Sequence, residues 1–398
     1  MTEPVPGLEG LLSPEGWPYA SQESTGEDDP GRFHALFGRD STIVALQVLP
    51  VRPDVARATL RQLAALQGSR DDPETDEEPG KIAHEWWPRA PDHLVAAGWP
   101  VREGELRYYG SADSTSWFLV LLASLAERSL ATELERAWRA AGDWLGRAIE
   151  RGGGLVRHGP RRGPGGLAQQ GWRDAEDPAD PAFHGAGILH ATGEVPEPPL
   201  ADADTQAVAV AALRALAALS GEDGWRREAA RLVETIEASL GTEAIAVGGD
   251  GRPVTGAGSQ LGWLLWADAL SPQAAERAAD RLCSPDLLTR WGLRTLSAEH
   301  PLHSAAAYHR GAVWPFDSWL GWGGLRAVGR PEAAERLRRG VLEAIEAIGQ
   351  APELFAVGPR GPRQIPIANR VQAWTVGARW ALEREWDGRA PVIFGPTA

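Results

Sequence analysis

The sequence predicts an all-α fold of antiparallel helical hairpins, and three observations support this prediction. Apolar residues recur with helical periodicity along most of the 398 residues, whereas strand-like alternation is nearly absent. Short breaks join the two helices of each pair, whereas long loops separate the pairs. Apolar helices also alternate with more polar ones. Together these features predict a two-layer (α/α)6 barrel with its long loops on one rim.

Eleven helices can be placed along the chain, and ten of them form pairs. The pairs are 41–49 with 53–67, 113–129 with 133–151, 202–220 with 224–240, 259–270 with 272–282 and 312–328 with 331–348, and a single helix follows at 370–385. Turn-forming residues mark the breaks within pairs. Because the sixth pair is incomplete, closure of the barrel is an inference. We expect one domain over residues 33–398, preceded by an N-terminal extension at 1–32.

Long loops separate the helix pairs, at 68–112, 152–201, 241–258, 283–311 and 349–369. If each pair runs up and back down, every loop starts and finishes at the same end of the barrel. All five loops should therefore meet at one rim. Loops of this length within a compact domain are usually functional, so the rim is where we expect the chemistry.

Composition excludes several classes of function. The 54 acidic residues outnumber the 40 basic ones, which disfavours a nucleic-acid partner because phosphate binding needs a positive field. The single Cys283 excludes an internal disulfide, and the nine scattered histidines give no reason to expect a metal. The N-terminus lacks a signal-peptide pattern, and the longest apolar stretch is too short for a membrane span. We therefore expect a cytoplasmic protein without a membrane partner or cofactor.

The loop QQGWRDAEDP at 169–178 concentrates carboxylates that are either solvated or chemically active. Asp174 follows Trp172 and Arg173, and this environment can desolvate the acid and raise its pKa, unless pairing with Arg173 lowers it. Glu353, in PELF, is a second isolated acid, and its alternative role is in the first turn of a short helix. Two carboxyls on one rim fit glycoside hydrolysis, in which one donates a proton and the other activates water.

Other loop residues fit a carbohydrate site but have ordinary alternatives. Asp40 could cap a helix starting at Ser41, or Arg39 and Asp40 could bind sugar hydroxyls. We expect His303 and His309 to hydrogen-bond sugar or backbone rather than a metal. Six loop tryptophans could stack on a sugar ring or simply roof the barrel core, namely Trp86, Trp87, Trp99, Trp172, Trp291 and Trp314.

Eight motifs occurring in order resemble a known family. They are FGRDSTIVAL, GKIAHEWWP, YYGSADST, QQGWRDAEDP, SPDLLTRWGLRTLS, AYHRGAVWPFDSW, PELF and NRVQAWTVGA. This series, from about residue 33 to 385, resembles the glucosidase domain of glycogen-debranching enzymes, the amylo-α-1,6-glucosidase family. It is more loosely similar to glucoamylases and to mannosylglycerate and glucosylglycerate hydrolases.

The resemblance implies a catalytic (α/α)6 barrel that hydrolyses α-glucosidic bonds of oligosaccharides or glycogen branches with inversion. Asp174 would be the general acid and Glu353 the general base, whereas Glu176 and Asp177 would be loop acids. Arg39 and Asp40 would hold the sugar at the cleavage subsite. Further substrate-binding residues would be Trp86, Trp172, Arg173, His309, Arg310, Trp314 and Gln372.

Other functions remain open at this stage. The segment before FGRD is short, and HEWWP carries two tryptophans where the family usually has a more polar stretch. Both features leave room for a small substrate such as glucosylglycerate or mannosylglycerate. A sugar epimerase or isomerase with histidine acid/base groups could use the same barrel, and so could a non-catalytic sugar-binding protein.

Overall fold

The structure is a computed structural model that describes residues 3–24, 32–159, 162–163, 165–174 and 187–389. Within these residues the helices are α1 (Gly38–Gln47), α2 (Pro53–Ala65), α3 (Asp92–Ala96), α4 (Ser114–Leu125), α5 (Arg128–Glu133), α6 (Glu135–Arg151), α7 (Ala203–Ser220), α8 (Asp223–Ser239), α9 (Gln260–Trp266), α10 (Pro272–Leu282), α11 (Pro315–Ala327), α12 (Pro331–Ile348) and α13 (Ala373–Glu383). The strands are β1 (Leu36–Phe37), β2 (Glu85–Trp87), β3 (Val101–Arg102), β4 (Glu105–Tyr108), β5 (Ala201–Asp202), β6 (Ala244–Val247), β7 (Pro253–Thr255), β8 (Phe355–Gly358) and β9 (Gly361–Gln364).

Six apolar helices form the inner layer, namely α1, α4, α7, α9, α11 and α13. They are buried along most of their length, contact one another in sequence order, and α13 contacts α1 in turn. A helix that is apolar on all sides can be accommodated only in such an interior. None of the described helices is long and apolar enough to cross a bilayer.

The amphipathic helices α2, α6, α8, α10 and α12 form the outer layer, each packed on the inner helix of its pair. In α8 the buried residues are Ala229, Leu232 and Ile236, whose spacing of three and four residues places them on one stripe. The predicted alternation of apolar and amphipathic helices is thus confirmed, and all eleven predicted helices are present. Two short helices, α3 and α5, were not predicted.

The expectation that strands are absent is wrong, because three small antiparallel sheets lie in and beside the long loops. Their strand orders are β1-β2-β4-β3, β5-β6-β7 and β8-β9. Each strand is only two to four residues long, too short to show an alternating pattern in the sequence. In the first sheet Glu85 pairs with Phe37, so β2 lies beside the start of α1.

The loops that precede the inner helices are hydrogen-bonded to one another, as the hairpin topology predicts. Arg39 Nη2 donates to the Gly171 carbonyl at 2.9 Å, and Ala112 N–H donates to the Gln170 carbonyl at 2.8 Å. Four acids occupy the first turns or cap positions of these helices, namely Asp40, Asp113, Asp204 and Asp317. The helix dipoles favour negative charge at this end of the helical layers.

The N-terminal segment packs against the helical core. Val5, Leu8, Leu11 and Trp17 are buried in the main hydrophobic cluster together with residues of the inner helices. The Ala373 N–H donates to the Ala20 carbonyl at 2.8 Å, which ties the segment to the start of α13.

Candidate active site

The QQGWRDAEDP loop contains three acids. Asp174 is among the residues that the structure describes, whereas Glu176 and Asp177 lie outside them. Its side chain is 22% exposed; Arg39 Nη1 lies 3.2 Å from Oδ2, and His309 Nε2 lies 3.5 Å from Oδ1. Burial raises the pKa of Asp174, but the His309 contact and the Arg39 charge outweigh it, so the pKa is lowered. Of the two alternatives left open for Asp174, the lowered pKa is the one found, although Arg39 and His309 rather than Arg173 cause it.

Arg39 is held by three groups of the protein. Its Nε donates to Asp113 Oδ2 at 2.8 Å, and its two terminal nitrogens donate to Asp174 and to the Gly171 carbonyl. Asp113 in turn accepts a hydrogen bond from the Ser111 hydroxyl. This buried fork fixes the carboxylate of Asp174, whereas binding of sugar hydroxyls by Arg39 stays a prediction.

Asp40 lies within α1 and does not cap it, because the helix already begins at Gly38. Burial raises the pKa of Asp40 to about 8, against the lowering effect of Arg39. The nearby carboxyls of Asp174 and Glu353 raise it further. Three acids from distant parts of the chain therefore act on one another in a single cluster.

Glu353 is buried in front of strand β8, with 2% of its surface exposed. The expected alternative, an acid in the first turn of a helix, is therefore wrong. Its Oε1 accepts from the Tyr308 hydroxyl, and its Oε2 accepts from the Asn369 N–H at 3.0 Å. Burial raises the pKa of Glu353 to about 7, although both hydrogen bonds oppose the shift.

Two consecutive residues of the AYHRGAVWP loop connect the two acids. Tyr308 donates to Glu353, whereas His309 contacts Asp174. The His309 ring stacks on Trp314 at 5.3 Å, and Tyr308 meets the same indole edge-on at 4.7 Å. Burial lowers the pKa of His309 to about 4, so its imidazole is neutral near pH 7. Asp174 and Glu353 thus lie in one site, as the predicted topology requires.

Gln372 joins the cluster from the start of α13. Its Nε2 lies 3.4 Å from Asp40 Oδ2, and its Oε1 accepts from Asn369 Nδ2 at 2.9 Å. The backbone N–H of Asn369 also donates to Glu353. Gln372 and Asn369 therefore connect Asp40 to Glu353, the two acids whose pKa values are raised.

Arg173 is buried, and its hydrogen bonds go to groups of the protein; its predicted role in substrate binding stays a prediction. Its Nε donates to Asp204 at 2.9 Å, and its other nitrogens donate to Ser259 Oγ and to the Thr295 and His309 carbonyls. Its guanidinium also covers the Trp172 ring at 4.7 Å.

Trp172 lies beside Arg173, stacked on Trp263 at 5.7 Å and packed edge-on against Phe316 and Trp314. Trp172 and Trp314 are both buried, so they match the alternative of tryptophans that pack on the barrel core.

The hydrogen bonds of the Arg310 and Trp86 side chains go to residues outside the acid cluster. Arg310 Nη1 donates to the Leu302 carbonyl at 3.1 Å, towards the turn before the AYHRG stretch. Trp86 Nε1 donates to Glu105 Oε1 at 2.8 Å, and its ring packs against Trp17. The substrate-binding roles of both side chains stay predictions.

Sequence reasoning missed several residues of the site. Asp113 and Tyr308 lie inside motif stretches, YYGSADST and AYHRGAVWP, so the motifs could have pointed to them. Asn369, the single asparagine of the chain, begins the NRVQAWTVGA stretch, so that motif could likewise have pointed to it. Glu85, in HEWWP, is a buried acid whose pKa burial raises to about 7.

Comparison with known proteins supports the carbohydrate chemistry of this site. Residues 161–355, which include Asp174 and Glu353, match the family model of the mannosylglycerate hydrolase MGH1-like glycoside hydrolase domain. None of the curated proteins is similar in sequence to this chain. The family match confirms the predicted enzyme class, an O-glycosyl hydrolase.

Solved structures share the fold at low sequence identity. The GH63 mannosylglycerate hydrolase from Thermus thermophilus, in complex with Tris, superposes with a TM-score of 0.70 at 17% identity, covering 96% of this chain and 100% of that one. Neutral trehalase Nth1 from Saccharomyces cerevisiae gives a TM-score of 0.62 at 15% identity, covering 94% and 76%. The likeness confirms a mostly helical fold of this type. The predicted debranching family is not the family whose model matches this chain.

Proposed function

We propose that this protein is an inverting hydrolase of a small α-glycoside, such as mannosylglycerate or glucosylglycerate, on an (α/α)6 barrel. One observation carries the proposal: Asp174 and Glu353 meet in one buried site, bridged by His309 and Tyr308. The choice of a small glycoside over a glycogen branch is supported by the family match and by the shared fold. Contact between α13 and α1 supports closure of the barrel.

In this proposal Asp174 protonates the glycosidic oxygen while Glu353 takes a proton from the attacking water. The bond between the anomeric carbon and the leaving oxygen breaks as water adds from the opposite face, which inverts the configuration. Asp174 is suited to contact the leaving group because its carboxyl is 22% exposed. Glu353 is suited to the base role because a base with a pKa of about 7 is poised near neutral pH.

The reverse assignment has one observation in its favour, because the pKa is raised at Glu353 and lowered at Asp174. Leaving-group dependence separates the two assignments. A glycosyl fluoride needs little protonation of its leaving group, so loss of the true acid should cost little with fluoride and much with an alkyl glycoside. We expect this behaviour in Asp174→Asn and not in Glu353→Gln; the opposite pattern would exchange the roles.

The decisive experiment follows hydrolysis of a small glycoside panel by NMR, which reports both the product and its initial anomeric form. We expect cleavage of mannosylglycerate or glucosylglycerate with the β-anomer formed first. Asp174→Asn and Glu353→Gln should each lower the rate by about 10²–10⁴-fold, the usual contribution of a general acid or base. Glu176→Gln, in the same motif, is the matched control and should retain activity. Substantial activity in both site variants would refute the assignment.

The same panel separates the alternative functions. Release of glucose from isomaltose or branched oligosaccharides, without cleavage of glycerate glycosides, would support the debranching function. Interconversion of free sugars would support an epimerase, although burial lowers the pKa values of His84 to about 3 and of His309 to about 4. Histidines of such low basicity are poor proton acceptors near neutral pH. Binding of sugar without turnover would indicate a non-catalytic protein.

A further inference from the structure

Successive side chains of strand β2 lie in two different environments. Trp86 is partly exposed and donates to Glu105, whereas Glu85 and Trp87 are buried on the opposite face. Successive side chains of a strand point to opposite sides, so only one face of HEWWP can reach the acid cluster.

Glu85 is on the face that reaches the cluster. Its Cα pairs with that of Phe37, the residue directly before α1, and the negative charge of Asp174 acts on its carboxyl. The preceding residue, His84, accepts a hydrogen bond from the Gly38 N–H through its carbonyl at 2.8 Å. The strand is thereby fixed against the helix start that carries Arg39.

The carboxyl of Glu85 is held at one oxygen. Trp87 Nε1 donates to Oε2 at 2.6 Å, and the residue is 4% exposed. Within the part of the chain that the structure describes, Oε1 has no hydrogen-bond partner. Because the protein uses only one oxygen of this carboxyl, the other is suited to a polar ligand.

We propose that Glu85 binds a hydroxyl group of the substrate's sugar and that Trp87 holds its carboxyl in position. This inference rests on the proposed function and assigns the binding role in HEWWP to Glu85 rather than Trp86. Burial raises the pKa of Glu85 to about 7, so near neutral pH its carboxyl can both accept from and donate to a sugar hydroxyl.

The test compares two carboxyl–indole pairs on the same sheet. Glu85→Gln and Trp87→Phe change the inward pair, whereas Glu105→Gln and Trp86→Phe change the outward pair, in which Glu105 also accepts from Arg107. For each variant, KM and kcat are measured on the best glycoside of the panel. Binding of D-glucose and D-mannose is measured by tryptophan fluorescence, and the midpoint of thermal unfolding is recorded.

We expect Glu85→Gln to raise KM and the sugar dissociation constant by about 5–50-fold, the range for losing a hydrogen bond to a buried acid. Trp87→Phe should give a smaller increase, and both outward variants should stay within about twofold of the wild type. The deoxy analogue that lacks the hydroxyl bound by Glu85 should bind the wild type more weakly than the parent sugar does. Glu85→Gln should bind the analogue and the parent sugar with equal affinity, because this variant no longer holds that hydroxyl.

A purely structural role for Glu85 would lower the unfolding midpoint and leave KM unchanged. If the wild type hydrolyses a glycoside and Glu85→Gln matches it in KM and in sugar affinity, the inference fails while the proposed function stands. If the wild type cleaves no glycoside and binds neither sugar, both fail.

Discussion

Replacing Glu353 with glutamine should stabilise the protein at alkaline pH while abolishing its proposed activity. The carboxyl has a pKa of about 7 in the folded protein, against an ordinary value of 4.5. Between these values the folded state holds a proton that the unfolded state has lost. The folded state therefore binds more protons, and the stability due to this group falls as pH rises from about 4.5 to 7.

The size of the effect follows from the shift and from two hydrogen bonds. A shift from 4.5 to about 7 corresponds to about 3 kcal/mol of lost stability once the carboxyl is ionised. Glutamine is never charged, so it avoids this cost, and its Oε1 can still accept from Tyr308. Its amide cannot accept from the Asn369 N–H, and a buried unsatisfied donor costs about 1–3 kcal/mol. We therefore expect Glu353→Gln to be destabilised at pH 5 and stabilised by about 1–2 kcal/mol at pH 8.

Urea unfolding at the two pH values measures this difference directly. Other buried acids such as Asp40 are present in both proteins, so their contributions cancel except for their coupling to Glu353. Glu343→Gln, on the half-exposed surface of α12, should differ from the wild type by the same small amount at both pH values. The reasoning is refuted if Glu353→Gln is less stable than the wild type by an equal amount at pH 5 and pH 8.

Three further predictions concern the support of the site and its pH dependence. Arg173→Met should lower the unfolding free energy by about 3–5 kcal/mol, because it leaves the buried carboxylate of Asp204 without its partner. In a double-mutant cycle measured by urea unfolding, adding Asp204→Leu should restore much of this loss. Asp113→Asn should lower kcat more than it raises KM, since it loosens Arg39 and thereby Asp174; an unchanged kcat would contradict this role. In a plot of kcat/KM against pH, we expect the acidic limb to have an apparent pKa near 7, which reflects ionisation of Glu353. A flat profile between about pH 5 and 8 would contradict the assignment of Glu353 as the base.

The sequence predicted the helices well because their ends carry local signals. Pro272 and Pro331 begin α10 and α12 as predicted, and the Ser271 hydroxyl caps α10 by accepting from the Ala274 N–H. Strands β1 and β5, with two residues each, have no periodicity to detect, and their pairing depends on segments far along the chain. Local signals therefore located the helices of the two layers but not the sheets that lie in and beside the long loops.

Within the candidate site, the sequence predicted two acids of the cluster but not their partners. Asp174 and Glu353 were chosen from motifs, and they do lie in one cluster. The expected cation beside Asp174 was Arg173, its neighbour in sequence, whereas Arg39 provides the contact and Arg173 turns into the core. Neighbouring residues of a loop point in different directions, so pairing between side chains is a tertiary property that spacing alone does not determine.

The contacts in the site divide its acids into two groups with different charge. Asp174 is paired with Arg39, and its pKa is lowered. Asp40 and Glu353 form the second group, which Gln372 and Asn369 connect. Burial raises the pKa of both of these acids. A proposed general acid that starts ionised must gain a proton when the substrate covers it. Because His309 and Arg39 hold the pKa of Asp174 down, these two contacts, rather than the carboxyl alone, determine how easily it takes up that proton.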